Sequence, residues 1–405
     1  MVLTRQGWAV AGGALAAIAA GRVLGLPELF ALGAVAGLLV VGSLLVVTLT
    51  PLDLQVSRTV HPTRVHVDAP ARVDVRVRNV RRRGRTPVVR LRDAVSGTRG
   101  ADVLLPPLDA AQAGVAAYRL PTGRRGILRV GPLRVETVDS FGLASTSEQA
   151  APAVEVTVYP RVEDVPALPY TTGHDPLAGA RQANSLGRSG EDFYALRPYV
   201  VGDDLRRVHW PSSARHDELL VRQQELPWQG RTTVLLDVRA ATHDAASFEL
   251  AVSAAASVSA AVARRNDLLR LVTTGGLDTD FGTGTGHLEG LMEALAVVET
   301  SARAHLGGVV DLLARRSTGG ALIAVVGDVH DEDLAALDRL GPRFGAHVVV
   351  LVDRSAGDPR APAPTAAPAG RVVVSRDRTF AQAWADHIVR SRAAVRAAAP
   401  RGARA

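Results

Sequence analysis

From Leu29 to Leu49 the chain carries no charged residue, and the stretch before it, Gly7 to Leu26, is apolar apart from Arg22. A helix rises about 1.5 Å per residue, so about 20 residues cross the ~30 Å hydrocarbon core of a bilayer. Two such stretches in succession predict two transmembrane spans, at about 7–26 and 29–49. A cleavable signal peptide would account for the first stretch alone, but the second follows at once and is longer. The linker Gly25-Leu26-Pro27-Glu28 is short enough only for a tight turn, so the spans form a hairpin with both ends on one side. Arg5 precedes the hairpin. Arg58, Arg64, Arg72 and the run Arg81-Arg82-Arg83 follow it, and Arg22 alone lies near the turn. The positive-inside bias then places both termini, and the soluble part, on the cytoplasmic side of the cell membrane. Gly12, Gly13, Gly33 and Gly37 are candidates for close helix packing.

Beyond the hairpin the apolar rhythm becomes two. In Ala71 to Arg78 valines alternate with charged residues, the mark of a strand with one wet face. Similar runs at Pro87–Arg92, Val115–Leu120 and Ile127–Val138 are divided by turn signals such as Arg83-Gly84, Thr122-Gly123 and Gly131-Pro132. This predicts a small all-β, sandwich-like antiparallel domain over residues 51–169. From Arg231 the rhythm changes again. Strands are expected at 232–237, 268–273, 321–326, 346–352 and 371–374. Helices are expected at 248–264, 288–298, 308–315, 331–340 and 379–396. Alternation of this kind predicts right-handed crossovers and a mostly parallel sheet over residues 231–396. Residues 355–370 read as a Pro/Ala-rich loop, and the basic tail 397–405 as disordered.

Composition removes several chemistries. All 47 residues counted as Lys or Arg are arginine, and cysteine is absent. No Walker lysine, Schiff-base lysine, cysteine nucleophile, disulfide or thiolate metal site is possible. The net charge of +7 is spread along the chain and aromatics make up 4%. Nucleic-acid binding would concentrate cations on one face with aromatics between them, so none is expected.

Residues 170–230 join the two soluble regions and hold the most informative stretch. It reads Gly190-Glu191-Asp192-Phe193-Tyr194-Ala195-Leu196-Arg197-Pro198-Tyr199, then Gly202-Asp203-Asp204-Leu205-Arg206-Arg207-Val208-His209-Trp210, then Ser213-Ala214-Arg215 and on to Arg222. Acids and arginines at this spacing favour bidentate pairs, with Phe193, Tyr199 and Trp210 expected to pack beneath them. These residues resemble the bacterial family called domain of unknown function 58 (DUF 58). Arg124-Arg125-Gly126-Ile127, Gly131-Pro132-Leu133 and Asp139-Ser140-Phe141-Gly142-Leu143 also resemble it, although the family's usual form of the last is Asp-Pro-Phe-Gly-Leu. The resemblance implies a membrane hairpin and a C-terminal von Willebrand A-like (Rossmann-like) domain. It also implies partnership with a MoxR-type AAA ATPase and company with a transglutaminase-like membrane protein. It implies no established reaction.

A metal-binding A-like domain carries Asp-x-Ser-x-Ser after its first strand, the hydroxyls and carboxylate supplying hard oxygens to Mg²⁺. Here Asp237-Val238-Arg239-Ala240-Ala241 keeps the acid, and Arg239 and Ala241 replace the serines. No metal and no cofactor are expected. Arg239 is expected to pair with Asp237 or with Asp328. Gly282-Thr283-Gly284-Thr285-Gly286-His287 is expected to be a flexible loop, and Gly187-Arg188-Ser189-Gly190 does not have the spacing of a nucleophile elbow. No catalytic residue is assigned. The expected function is a membrane scaffold or adaptor that binds protein partners. Its alternatives are a metal-dependent hydrolase built on Glu191, Asp192, Asp203, Asp204 and His209, and a purely structural membrane protein.

Overall fold

A computed structural model describes residues 2–49, 53–139, 141–168, 193–200, 208–216, 218–224, 230–316, 319–357, 360 and 370–398. Contacts divide the chain into two units, Met1–Arg161 with Met292–Val297, and Val162–Leu291 with Val298–Ala405.

The first unit opens with a two-residue strand, β1 (Val2–Leu3), and two helices, α1 (Arg5–Leu24) and α2 (Pro27–Leu49). The Thr4 hydroxyl caps α1 by accepting from Gly7 N at 3.0 Å. Gly25, at φ 69°, ends it in the left-handed conformation that glycine adopts without strain. Only Gly25 and Leu26 separate the helices, because Pro27 already starts α2. Both helices are long and apolar enough to cross a membrane. Leu15, Leu32, Leu38 and Leu45 face outward. Of the four glycines considered for helix packing, only Gly33 sits at the seam, where an added Cβ would meet Ala14 O at 2.8 Å. Gly12, Gly13 and Gly37 face open space.

The β-rich part of this unit has β2 (Leu54–His61), β3 (Arg64–His66), β4 (Arg72–Asn79), β5 (Val89–Val95), β6 (Ala101–Leu105) and β7 (Ala113–Arg119). It continues with β8 (Gly126–Val138), β9 (Ala144–Ala151) and β10 (Val154–Tyr159). Strands β2, β4 and β7 form a three-stranded antiparallel sheet. The others form a seven-stranded sheet in which β1 extends β9. The two sheets share one core, with Val73, Val75 and Val77 of β4 facing Leu91, Val130 and Val156. The alternation in β4 is therefore the burial pattern itself. The sheet is not wholly antiparallel as expected: β3 runs parallel to β10, with Arg64 opposite Thr157.

One inward position of β2 departs from the apolar pattern. Arg58 follows Leu54 and Val56 on the core side, and its side chain is 2% exposed, as is that of its partner Asp93. The pair meets at 2.9 Å, Arg58 Nη2 donates to Pro152 O, and Tyr118 Oη donates to Asp93 Oδ2 at 2.6 Å. Burial, followed by the Asp93 carboxylate, pushes the Tyr118 phenol far above its usual range.

In the second unit β11 (Phe193–Pro198) pairs antiparallel with β12 (Leu220–Gln224), and α3 (Trp210–His216) lies between them in sequence. The α/β region follows with β13 (Arg231–Leu236), α4 (Ala245–Arg264), β14 (Leu268–Thr273), α5 (Gly284–Val297, of which Met292–Val297 group with the first unit) and α6 (Leu306–Arg316). It closes with β15 (Ala321–Val326), α7 (Asp331–Asp338), β16 (Ala346–Val352), β17 (Val372–Val374) and α8 (Phe380–Ala398). The five strands are all parallel, in the order β14-β13-β15-β16-β17. The order reverses between β13 and β15, which makes their carboxyl ends the topological switch point of the sheet.

Helix α4 is a third segment long and apolar enough to span a membrane, but most of it is buried within the protein. Its alanines lie close to the sheet, and Ser257 and Ser259 return their hydroxyls to the carbonyls of Ser253 and Ala255. Helix α8 continues through Ala398, past the expected end at Arg396. The Gly282–His287 segment is not a free loop. Gly284 to His287 begin α5, Gly282 pairs with Leu269, and His287 Nε2 lies 2.8 Å from Leu269 O.

Candidate functional site

Asp237 follows the last residue of β13 and so stands at the switch point. It is fully buried, and its backbone N–H donates to Val325 O of β15 at 2.9 Å. Both carboxylate oxygens are occupied. Oδ1 accepts from Arg239 N at 3.1 Å, Arg239 Nε at 3.0 Å and Thr274 Oγ1 at 3.0 Å. Oδ2 accepts from Arg239 Nη2 at 2.9 Å and Thr242 Oγ1 at 3.0 Å. The remaining arm of the guanidinium, Nη1, donates to Asp333 Oδ2 at 2.9 Å. Burial works against the Arg239 charge, but the hydrogen bonds and charges of Asp237 and Asp333 outweigh it and hold its pKa above the usual value.

Arg239 therefore pairs with Asp237, as one of the two expectations had it, and with Asp333 rather than Asp328. Asp328 faces Arg354 instead, at 3.4 Å. Ala241 supplies no side-chain ligand, but its carbonyl accepts from Arg354 Nη2 at 3.3 Å. A cation here would have to displace a guanidinium held by two carboxylates. Among the described residues, no group of three or more His, Asp or Glu side chains is arranged to hold a metal. Thr242, Thr274 and Asp333 did not emerge from the sequence. The end-of-strand rule points to Thr274, which follows β14 as Asp237 follows β13. The acidic first turn of α7 points to Asp333.

His243 is buried beside this network and meets the Phe248 ring edge-on at 5.5 Å. Burial lowers its pKa, as it does for His347 and His387 in the same unit. A histidine kept neutral when folded binds its proton more readily when unfolded, so these three subtract stability once pH falls below the unfolded value of about 6.5. We expect the second unit to lose stability between pH 7 and 5. Replacing His243 by phenylalanine should flatten that slope in urea denaturation followed by circular dichroism. An unchanged slope would assign the loss to other groups.

The signature stretch forms a second cluster. Tyr199 N donates to Leu219 O at 2.7 Å, His209 N donates to Leu220 O at 2.8 Å, and Val208 bridges Val221. Ser213 is buried, donates Oγ to His209 O at 3.1 Å and accepts from Leu220 N at 2.9 Å. It ties α3 to β12, which is a structural reason for a small hydroxyl residue at this place. His209 Nδ1 lies 2.7 Å from Ser212 Oγ. Trp210 does not pack beneath the charges as expected: it is 63% exposed. Val200 and Leu219 are also exposed, and Ala214 and Arg215 face solvent on α3. Phe193 and Arg197 lie on β11 and Arg222 on β12. Gly190, Glu191, Asp192, Gly202, Asp203, Asp204 and Arg206 lie outside the described residues.

Residues 195–395 match the family model described as protein of unknown function DUF58. Over this stretch, the DUF58 region, the chain is similar to that family. The region spans the signature cluster from β11 onward, the parallel sheet and nearly all of α8. Among curated proteins none matches the chain. Of solved structures, the CARDB domain of the PF1109 protein from Pyrococcus furiosus, in complex with di-metal ions, is 20% identical. That likeness covers 26% of this chain and 87% of that one, with a TM-score of 0.21. Pseudomonas fluorescens alkylpurine DNA glycosylase AlkC, bound to DNA containing an abasic site analog, is 12% identical over 32% of this chain and 38% of its own, with a TM-score of 0.18. At these scores neither likeness bears on the fold or chemistry of the DUF58 region.

Proposed function

We propose that the chain is a membrane-anchored adaptor whose DUF58 region binds a protein partner, with a MoxR-type AAA ATPase as the first candidate and a transglutaminase-like membrane protein as a further associate. The two apolar N-terminal helices serve as the anchor, and the soluble units face the cytoplasm. The parallel sheet with Asp237 at its switch point is read as a von Willebrand A-like domain whose cation has been replaced by Arg239.

The observation that carries this reading is the exposed Trp210. A tryptophan left in water, in a backbone-paired cluster that also exposes Val200 and Leu219, offers the kind of aromatic anchor that dominates protein interfaces. Arg215 on the same short helix adds a cation suited to an acidic partner surface. Partner capture from detergent, at low salt and with nucleotide, tests it. The full chain should retain a MoxR-type ATPase, and Trp210→Ala should weaken retention by about 30-fold, the effect of losing an interface anchor worth about 2 kcal/mol. Equal retention by the variant, or none by the parent chain, would refute the proposal.

A further inference from the structure

The Asp139-Ser140-Phe141-Gly142-Leu143 motif has no part in the adaptor reading, yet it is fastened to the helical hairpin. Thr4 N donates to Leu143 O at 3.0 Å, and the Thr4 hydroxyl donates to Gly142 O. β1 pairs with the start of β9, Leu3 opposite Ala144. Gly7 lies so close that an added Cβ would come within 2.0 Å of Leu143 O. Within the turn, Asp139 Oδ1 accepts from Ala144 N at 2.7 Å and Oδ2 from Phe141 N at 3.1 Å. Asp139 N donates to Ala144 O, and Gly142 N to Asp139 O, both at 3.0 Å. These polar groups are bonded within the turn or to Thr4, and among the turn's described residues it is Phe141 that presents its ring outward, 66% exposed. Satisfied backbone with an apolar tip is the chemistry of a surface that meets hydrocarbon rather than water.

Two independent lengths place this turn at the same depth. Counting from the closed end of the hairpin at about 1.5 Å per residue, Gly7 lies about 26 Å along α1 from Leu24, and Ser43 about 24 Å along α2 from Pro27. Between α2 and the turn runs a groove of about 370 Å³, lined mostly by apolar side chains, Val35, Leu38, Leu39, Val46 and Phe141 among them, with Ser43 of α2 and Asp139 of the turn as its polar edge. Those α2 positions lie about 12–29 Å from the closed end, inside the ~30 Å thickness of a hydrocarbon core. The groove is continuous with the outward apolar face of the hairpin.

We propose that Phe141 and this groove take the acyl chains of the bordering leaflet, so that the turn seats the β-rich unit directly on the membrane. The proposal rests on the reading that the hairpin spans a bilayer, and the test separates the two. Because the chain has no cysteine, single replacements Phe141→Cys, Leu38→Cys and Leu104→Cys can each carry a fluorescent label. Leu104 is an exposed residue of β6, three strands from β9 across the sheet. In full-length protein reconstituted into phosphatidylcholine–phosphatidylglycerol vesicles, nitroxide-bearing lipid should quench the label at 141 as strongly as at 38, and several-fold more than at 104. Aqueous iodide should give the reverse order. If 141 follows 104 while 38 remains lipid-quenched, the turn faces water and the proposal fails with the hairpin intact. Shielding of 141 from both quenchers would mean that protein covers it, and also refutes the proposal. If 38 itself is reached by iodide and not by lipid, the spanning hairpin fails as well.

Discussion

Replacing Arg58 by methionine should destabilise the β-rich unit by about 3–5 kcal/mol, because it strands a buried carboxylate without its counter-charge. Asp93 is as inaccessible as Arg58, and after the substitution only the Tyr118 hydroxyl remains among its side-chain donors described above. The loss should appear in urea denaturation of the full chain, with hydrogen exchange on β4 and β5 assigning it to this unit. A second replacement discriminates charge from packing. Exchanging Asp93 for leucine and Tyr118 for phenylalanine in the Arg58→Met background should recover most of the loss, since an apolar cluster carries no unpaired charge. A single variant within about 1 kcal/mol of the parent would mean that water reaches Asp93.

The same substitution at Arg239 should cost less, about 2–3 kcal/mol, although Asp237 is the more deeply buried acid. Asp237 would keep three donors, the Thr242 and Thr274 hydroxyls and the backbone N–H of residue 239. Asp333 lies at the surface end of the network and would be released to solvent. A sharper consequence is chemical. Removing the guanidinium frees lone pairs of Asp237 at the switch point, so Arg239→Ser should restore one hard-oxygen position. Stabilisation of that variant by millimolar Mg²⁺, absent in the parent chain, would identify the network as a converted cation site. Loss of stability with no response to Mg²⁺ would leave it a structural clamp.

The parts legible in the sequence were those in which burial alone sets the pattern. The uncharged run from Leu29 to Leu49, the alternating valines of β4 and the apolar strands β13 and β15 each state their environment residue by residue. β9 does not. Its sequence, Ala-Ser-Thr-Ser-Glu-Gln-Ala-Ala, has no apolar alternation, and it is a strand because the long β8 offers it hydrogen bonds on one side and β1 on the other. In the sequence Arg58 is one of the charges that follow the second helix and bear on its topology. Its true setting depends on Asp93, 35 residues further on, and no local pattern announces such a partner. The parallel pairing of β3 with β10 is hidden for the same reason.

At the candidate site the sequence singled out Asp237 and Arg239 and the loss of both serines. It left the choice between Asp237 and Asp328 open. The answer turned on α7, whose first turn brings Asp333 to the guanidinium, a contact that needs the crossover geometry. The close spacing of acids, arginines and aromatics predicts Trp210 packed beneath its charged neighbours. Ser213 and the strand bridges hold the segment in a form that leaves the indole outside.

The pairing of Val2 and Leu3 with Ser145 and Ala144 sets an order of events during synthesis. Those two residues emerge about 140 residues ahead of the strand they pair with, roughly 7–30 s at ribosomal speeds. A hairpin inserted as it leaves the ribosome must therefore hold together on its own helix contacts, the Gly33 seam among them, until the rest of the sheet arrives to fasten its open end.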